Sequence, residues 1–165
     1  MKMESLHDLY LSELSDLYSA EKQIIKALPK IIAKTESPEL RQALEDHLEQ
    51  TNGHVERLEQ VFEMHGESPK KQKCKGMEGV LAEGAGMVGP DAAPAVRDAA
   101  IVSAAQRVEH YEMAAYGTVR TYAEQLGHGR AAAVLQETLD EERAADERLT
   151  SIATRRVNVE ATQTA

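Results

Sequence analysis

The chain has 165 residues, a formal net charge of −9, one phenylalanine, no tryptophan and a single cysteine. A surface this acidic argues against nucleic acid and anionic membranes as partners, because phosphate contacts require a basic face. With Cys74 alone, an intrachain disulfide and a thiolate metal cluster are both excluded. The length corresponds to one domain. The abundance of Ala, Glu, Leu and Gln over aromatic and β-branched residues favours helices. No apolar run approaches the ~20 residues of a membrane span, and Met1–Asp8 lacks a signal-peptide core, so a cytoplasmic protein is expected.

Helical periodicity covers most of the chain. The first segment runs from about Ser5 to Thr35, with Leu6, Tyr10, Leu14, Leu17, Ile24, Leu28 and Ile31 on one face and an irregularity expected at Pro29. Ser37-Pro38-Glu39 starts a second helix with a capping hydroxyl, an early proline and an acid at its positive end. That helix should stop at Gly66, and its interior Gly53 suggests close approach of another helix or a ligand. A basic linker, 67–73, leads to a glycine-dotted helical pattern over Cys74–Val88, broken by the Gly and Pro residues of 89–94. A third long helix is expected from Pro94 to Leu126 and a fourth from Gly129 to Val157, with a frayed tail. The fold class is therefore all-α. Four long helices, with a short extra helix in the connection between the second and third, match the ferritin-like form of the four-helix bundle.

Each long helix carries polar residues on its apolar side. On the first, Glu21 lies within roughly 20° of the middle of the apolar stripe, while Glu13 is nearer its edge. The second places His47, Thr51 and His54 beside Leu44, Leu48, Val55, Leu58 and Phe62, with Gln50 one turn from either histidine. Glu49 and Glu56 point to solvent. The third holds Glu109 and Glu112, three residues apart and able to reach one point, with His110 facing outward. On the fourth, Leu135, Leu139, Leu149 and Ala153 define a stripe roughly 80° wide, and Glu142 and Asp146 fall inside it.

A carboxylate aimed at a core costs several kcal/mol unless it is paired, and a cation satisfies both Glu142 and Asp146 at once. The simpler alternatives are a core-margin ion pair for Glu21, hydrogen-bonded histidines, an exposed glutamate pair at 109 and 112, and pairing of Glu142 and Asp146 with Arg107 or Arg143. Together, Glu21, His47, His54, Glu109, Glu112, Glu142 and Asp146 form the candidate metal-ligand set. Carboxylate or imidazole from every helix of a four-helix bundle is the pattern of di-iron and di-manganese sites. Tyr10, Tyr111 and Tyr116 are candidate redox relays or supporting donors, with simple packing as the alternative.

The stretches Asp16-Leu17-Tyr18-Ser19-Ala20-Glu21-Lys22-Gln23, Val108-Glu109-His110-Tyr111-Glu112 with Ala115-Tyr116-Gly117-Thr118, and Glu137-Thr138-Leu139-Asp140-Glu141-Glu142 with Ala145-Asp146 resemble the YciE/YciF family of bacterial stress-associated proteins. The resemblance spans nearly the whole chain. It implies a ferritin-like bundle related to rubrerythrin and bacterioferritin, a homodimer, and a di-iron role. Against di-iron bundles, Glu21, His54, Glu109, Glu112 and Glu142 correspond to ligand positions. Thr51 stands where a glutamate is expected and Ala145 where a histidine is expected, with Asp146 the nearest substitute and His47 or Gln50 available to compensate.

The leading expectation is a carboxylate-bridged pair of irons, with manganese or zinc as alternatives, acting on oxygen or peroxide as ferroxidase or oxidoreductase. A non-catalytic helical interaction protein with a degenerate site is the second reading. Iron storage in a closed shell of many subunits is the third.

Overall fold

Side-chain caps open the first three helices. The computed structural model describes residues 3–89 and 91–163. Ser5 takes the Asp8 amide at the start of α1 (Leu6–Ile32), and Ser37 takes the Leu40 amide ahead of Pro38 in α2 (Pro38–Met64). The Cys74 sulfur accepts from the Met77 amide at the start of α3 (Lys75–Met87). Two longer helices follow, α4 (Pro94–Gln125) and α5 (Gly129–Ile152). Gly66 and Gly127, with φ of 66° and 77°, end α2 and α4. There Glu67 and His128 donate back to the carbonyls of Phe62 and Ala123, five residues earlier, a closure that requires a left-handed residue.

Two boundaries differ from expectation. α1 continues as helix through Pro29 and closes at Ile32, where Lys34 and Thr35 donate to Ile31 and Ile32 in a tighter turn. After Ile152 the chain makes one π-helical turn, Ala153–Val157, and then a short α6 (Asn158–Thr162) instead of fraying. The wider turn keeps Ala153 and Val157 buried. Residues 164 and 165 lie outside the described residues.

The long helices form a ring in which α1 packs on α2 and α4, and α5 packs on the same two from the other side. α3 lies outside this ring, against α4 and α1. Its closeness to α4 depends on glycine: a Cβ at Gly84 would stand 2.9 Å from the Ala104 Cβ, and one at Gly76 would stand 2.5 Å from the Tyr111 hydroxyl. Gly53, by contrast, has no neighbour that a Cβ would meet within 4 Å, so the close approach expected there is absent.

Burial divides the apolar core in two. One half gathers Ile24, Leu40, Met77, Ile101 and Ile152; the other gathers Tyr10, Leu14, Leu58, Phe62 and Leu135. Polar residues of α1, α2, α4 and α5 lie between them. The α1–α2 turn is held by Asp98 of α4, whose buried carboxylate accepts the amides of Glu36 (3.0 Å) and Ser37 (2.7 Å).

Asp98→Ala leaves the buried Ser37 amide and the partly buried Glu36 amide without their acceptor and is expected to lower stability by about 2 kcal/mol. Gly53→Ala, at an open helical position, is expected to raise it by about 0.5–1 kcal/mol. Urea unfolding followed by helical circular dichroism checks both, with opposite shifts of the midpoint.

Candidate metal centre

The helical repeat sends Glu21 from α1, His47 and His54 from α2, Glu109 and Glu112 from α4, and Glu142 from α5 into the layer between the core halves. All six are buried, with Glu21, His54, Glu112 and Glu142 at 0 % exposure. Ligand atoms of His47, Glu109, Glu112 and Glu142 lie within 4.8 Å of one another, and so do those of Glu21, His54 and Glu142. Glu142 belongs to both sets. Its Oε1 is 3.0 Å from His54 Nδ1, and its Oε2 is 4.0 Å from His47 Nε2. Glu109 Oε1 stands 3.4 Å from His47 Nε2, and Glu21 Oε1 stands 3.4 Å from His54 Nδ1.

Proximity here is not satisfaction. Glu21 Oε2, Glu109 Oε2, both oxygens of Glu112 and of Glu142, His54 Nδ1 and both nitrogens of His47 have no aligned hydrogen-bond partner. Buried polar atoms are rarely left so, and the donors gathered here could hold a metal ion. The charges fit as well: four carboxylates balance two divalent cations, and neutral imidazoles complete the donor set.

Protons do the balancing when no cation is bound. Burial, reinforced by Glu142 and other carboxylates, lifts Glu109 and Glu112 well above the ordinary carboxylate range. Burial alone would favour neutral His54, but contact with Glu142 and Glu21 outweighs it and raises the imidazole to about 10. Burial would likewise raise Glu142, yet His54, Glu109 and His47 together bring it below its usual value. Glu142 is thus drawn toward its ionised form, opposite to Glu109 and Glu112.

A second rank of residues orients the first. Arg57 grips Glu141 with two parallel bonds of 2.7 Å, and Glu141 Oε2 meets His54 Nε2 at 2.9 Å, which leaves Nδ1 facing inward. The buried Tyr116 hydroxyl donates to Glu21 Oε1. Sequence reading had no signal for the role of Glu141, because a glutamate one position from the stripe reads as solvated. The Arg57 at i+3 from His54 is the only local hint.

Other expected participants lie elsewhere. Asp146 sits at the bundle margin, where Gln106 donates to it at 3.0 Å and His110 approaches at 3.2 Å, and it belongs to neither ligand set. Tyr111 turns to Cys74 (3.1 Å) and Asp16 (3.4 Å), and Tyr10 to His65 at one end of the bundle. Thr51, in place of the expected glutamate, is buried and donates to the His47 carbonyl. Gln50 is exposed. Arg107 and Arg143 pair with Glu83 and Asp140, not with Glu142 or Asp146. His47, two turns before His54, brings a second imidazole to within 3.4 Å of Glu109 and 4.0 Å of Glu142.

Residues 5–162 match the model of a domain of unknown function, DUF892. The chain belongs to that family. It is 46% identical over 162 residues to Protein YciF of Escherichia coli K12, covering 98% of each chain. The crystal structure of that stress protein superposes with a TM-score of 0.91 over 94% of this chain and 99% of the other. YcfI from Rhodopseudomonas palustris, 43% identical, gives 0.89 over 92% and 97%. A Xanthomonas campestris protein at 20% identity shares the fold, with a TM-score of 0.72 over 96% and 98%.

In this DUF892 chain, carboxyls raised by burial bind more protons folded than unfolded, so metal-free stability falls as pH rises past the ordinary value near 4.5. Glu112→Gln removes one such group and offers an amide donor to the neighbouring carboxylates. It is expected to stabilise chelator-treated protein at pH 7 by about 1–3 kcal/mol and to flatten the decline with pH. Thermal unfolding of both proteins from pH 5 to pH 8 checks this.

Proposed function

We propose that the protein binds two divalent metal ions, iron in its working form, in the buried carboxylate–imidazole layer and uses them to react with oxygen or peroxide. The supporting observation is Glu142, whose two oxygens face two different histidines and which alone belongs to both ligand sets. His47, Glu109 and Glu112 would hold one ion, Glu21 and His54 the other, and Glu142 would join them. Iron held this way supplies reversible one-electron chemistry toward dioxygen or peroxide, carboxylates tolerating both oxidation states.

The remaining residues prepare that chemistry. Arg57 and Glu141 fix the His54 tautomer, Tyr116 holds Glu21 in place, and the two apolar core halves exclude bulk water. Between α1, α3 and α4 a cavity of about 250 Å³, walled by residues such as Ile24, Leu28, Leu81 and Val108, reaches His47 and Glu109. Apolar walls suit dioxygen better than a charged reductant. Similarity to the Escherichia coli stress protein YciF supports an oxidant-directed role.

Anaerobic loading with ferrous iron should give about two irons per chain by elemental analysis, followed by ferric absorption on admission of air. Glu142→Ala should lose nearly all bound iron, whereas Asp146→Ala, outside both ligand sets, should keep it. Folded protein that takes up no iron under these conditions sinks the proposal and leaves a helical interaction protein in its place. Elution as a cage of many subunits, as opposed to a dimer, would favour storage.

A further inference from the structure

A second group of metal-binding side chains gathers at one end of the bundle, away from the carboxylate layer. His7 in the first turn of α1, His65 after the last turn of α2 and His128 before α5 come from points 58 and 63 residues apart in the chain. Their ring centres are 4.5 Å (65–128), 5.9 Å (7–128) and 6.1 Å (7–65) apart. With metal–nitrogen bonds of about 2.0–2.1 Å, imidazoles sharing one tetrahedral ion stand with ring centres about 5 Å apart. The 65–128 pair already stands inside that spacing and His7 lies roughly 1 Å beyond it, so a modest side-chain adjustment of His7, with reorientation of the rings, is what a shared ion requires.

The surroundings orient one of the donors and leave the set accessible. All three histidines are half-buried, which leaves the centre open on its solvent side. The fully buried Tyr10 lies beneath them, with ring contacts to each and its hydroxyl 3.2 Å from His65 Nε2, leaving Nδ1 of His65 for an ion.

We propose that His7, His65 and His128 form a three-histidine site for a borderline divalent cation, zinc by preference, with one position left for water. Three imidazoles without thiolate or carboxylate suit zinc, copper or nickel over magnesium or calcium. An ion there ties the start of α1, the end of α2 and the start of α5 together, the end of the bundle that carries two interhelical connections. The site is independent of the carboxylate layer, each of whose ligand sets contains a single histidine.

That difference makes the test decisive. Chelator-stripped protein is titrated with Zn²⁺ by calorimetry, and with one equivalent of Cu²⁺ for electron paramagnetic resonance. The expected result is nitrogen splitting from about three imidazoles, together with a zinc-dependent rise in melting temperature. His128→Ala, a partly exposed position with no side-chain cap hydrogen bond, should weaken zinc binding at this site by about a hundredfold or more and abolish the three-nitrogen signal. His54→Ala should leave both intact. His7→Ala repeats the measurement if the first variant unfolds. A copper signal with only one nitrogen in the parent protein, or zinc binding and stabilisation unchanged in both His128→Ala and His7→Ala, overturns the proposal.

Discussion

Four carboxylates and two imidazoles buried at the waist of the bundle dominate the energetics of this protein. Like charges in a low-dielectric layer repel strongly, and each also loses its hydration. The chain tolerates the arrangement because two apolar halves flank it and because protons or cations can neutralise it. Glu142 is the pivot. It faces both histidines and is drawn toward the ionised form while burial pushes Glu109 and Glu112 toward protonation, and so marks where positive charge is most favourably placed.

Around that layer, neighbouring residues hold the ligands in position. The Arg57–Glu141–His54 chain runs from solvent to the centre, so one ring nitrogen is committed outward and the other inward. Glu21 is held by Tyr116. The lone cysteine serves the architecture: Cys74 caps α3, contacts Tyr111, and has its thiol pKa raised by burial and by Asp16. α3 then rests on α4 through Gly76 and Gly84 and closes one wall of the apolar cavity beside His47.

Much of this was readable from periodicity. The four long helices, the short one between them and six of the seven candidate ligands follow from which residues share a face. Asp146 falls inside the stripe on a wheel, but a wheel does not say how far along the bundle the stripe is still covered. At that height α4 presents Gln106 and His110 and no core, so the carboxylate stays at the margin. Gly53 misled for the opposite reason: its cost in a helix is real, but no neighbour approaches it. Tyr116 was open to sequence reading as a supporting donor, but the role of Glu141 depends on cross-helix distances, and the histidines at 7, 65 and 128 meet only because three helix ends share one end of the bundle. Neither carries any local pattern.

The division of the core into two apolar halves has a mechanical consequence. An ordinary helical bundle is firmest at mid-length and loosens from its ends, where turns fray. Here the middle is held by charge balance, while each end is held by close-packed apolar side chains. Stripped of cations, such a bundle breathes at its waist, and amide exchange near His54 and Glu112 would outpace that beside Leu40 or Phe62. Filling the layer would reverse that order, so a bound ion would act as the missing central rivet and its loss would be felt as softness at mid-length.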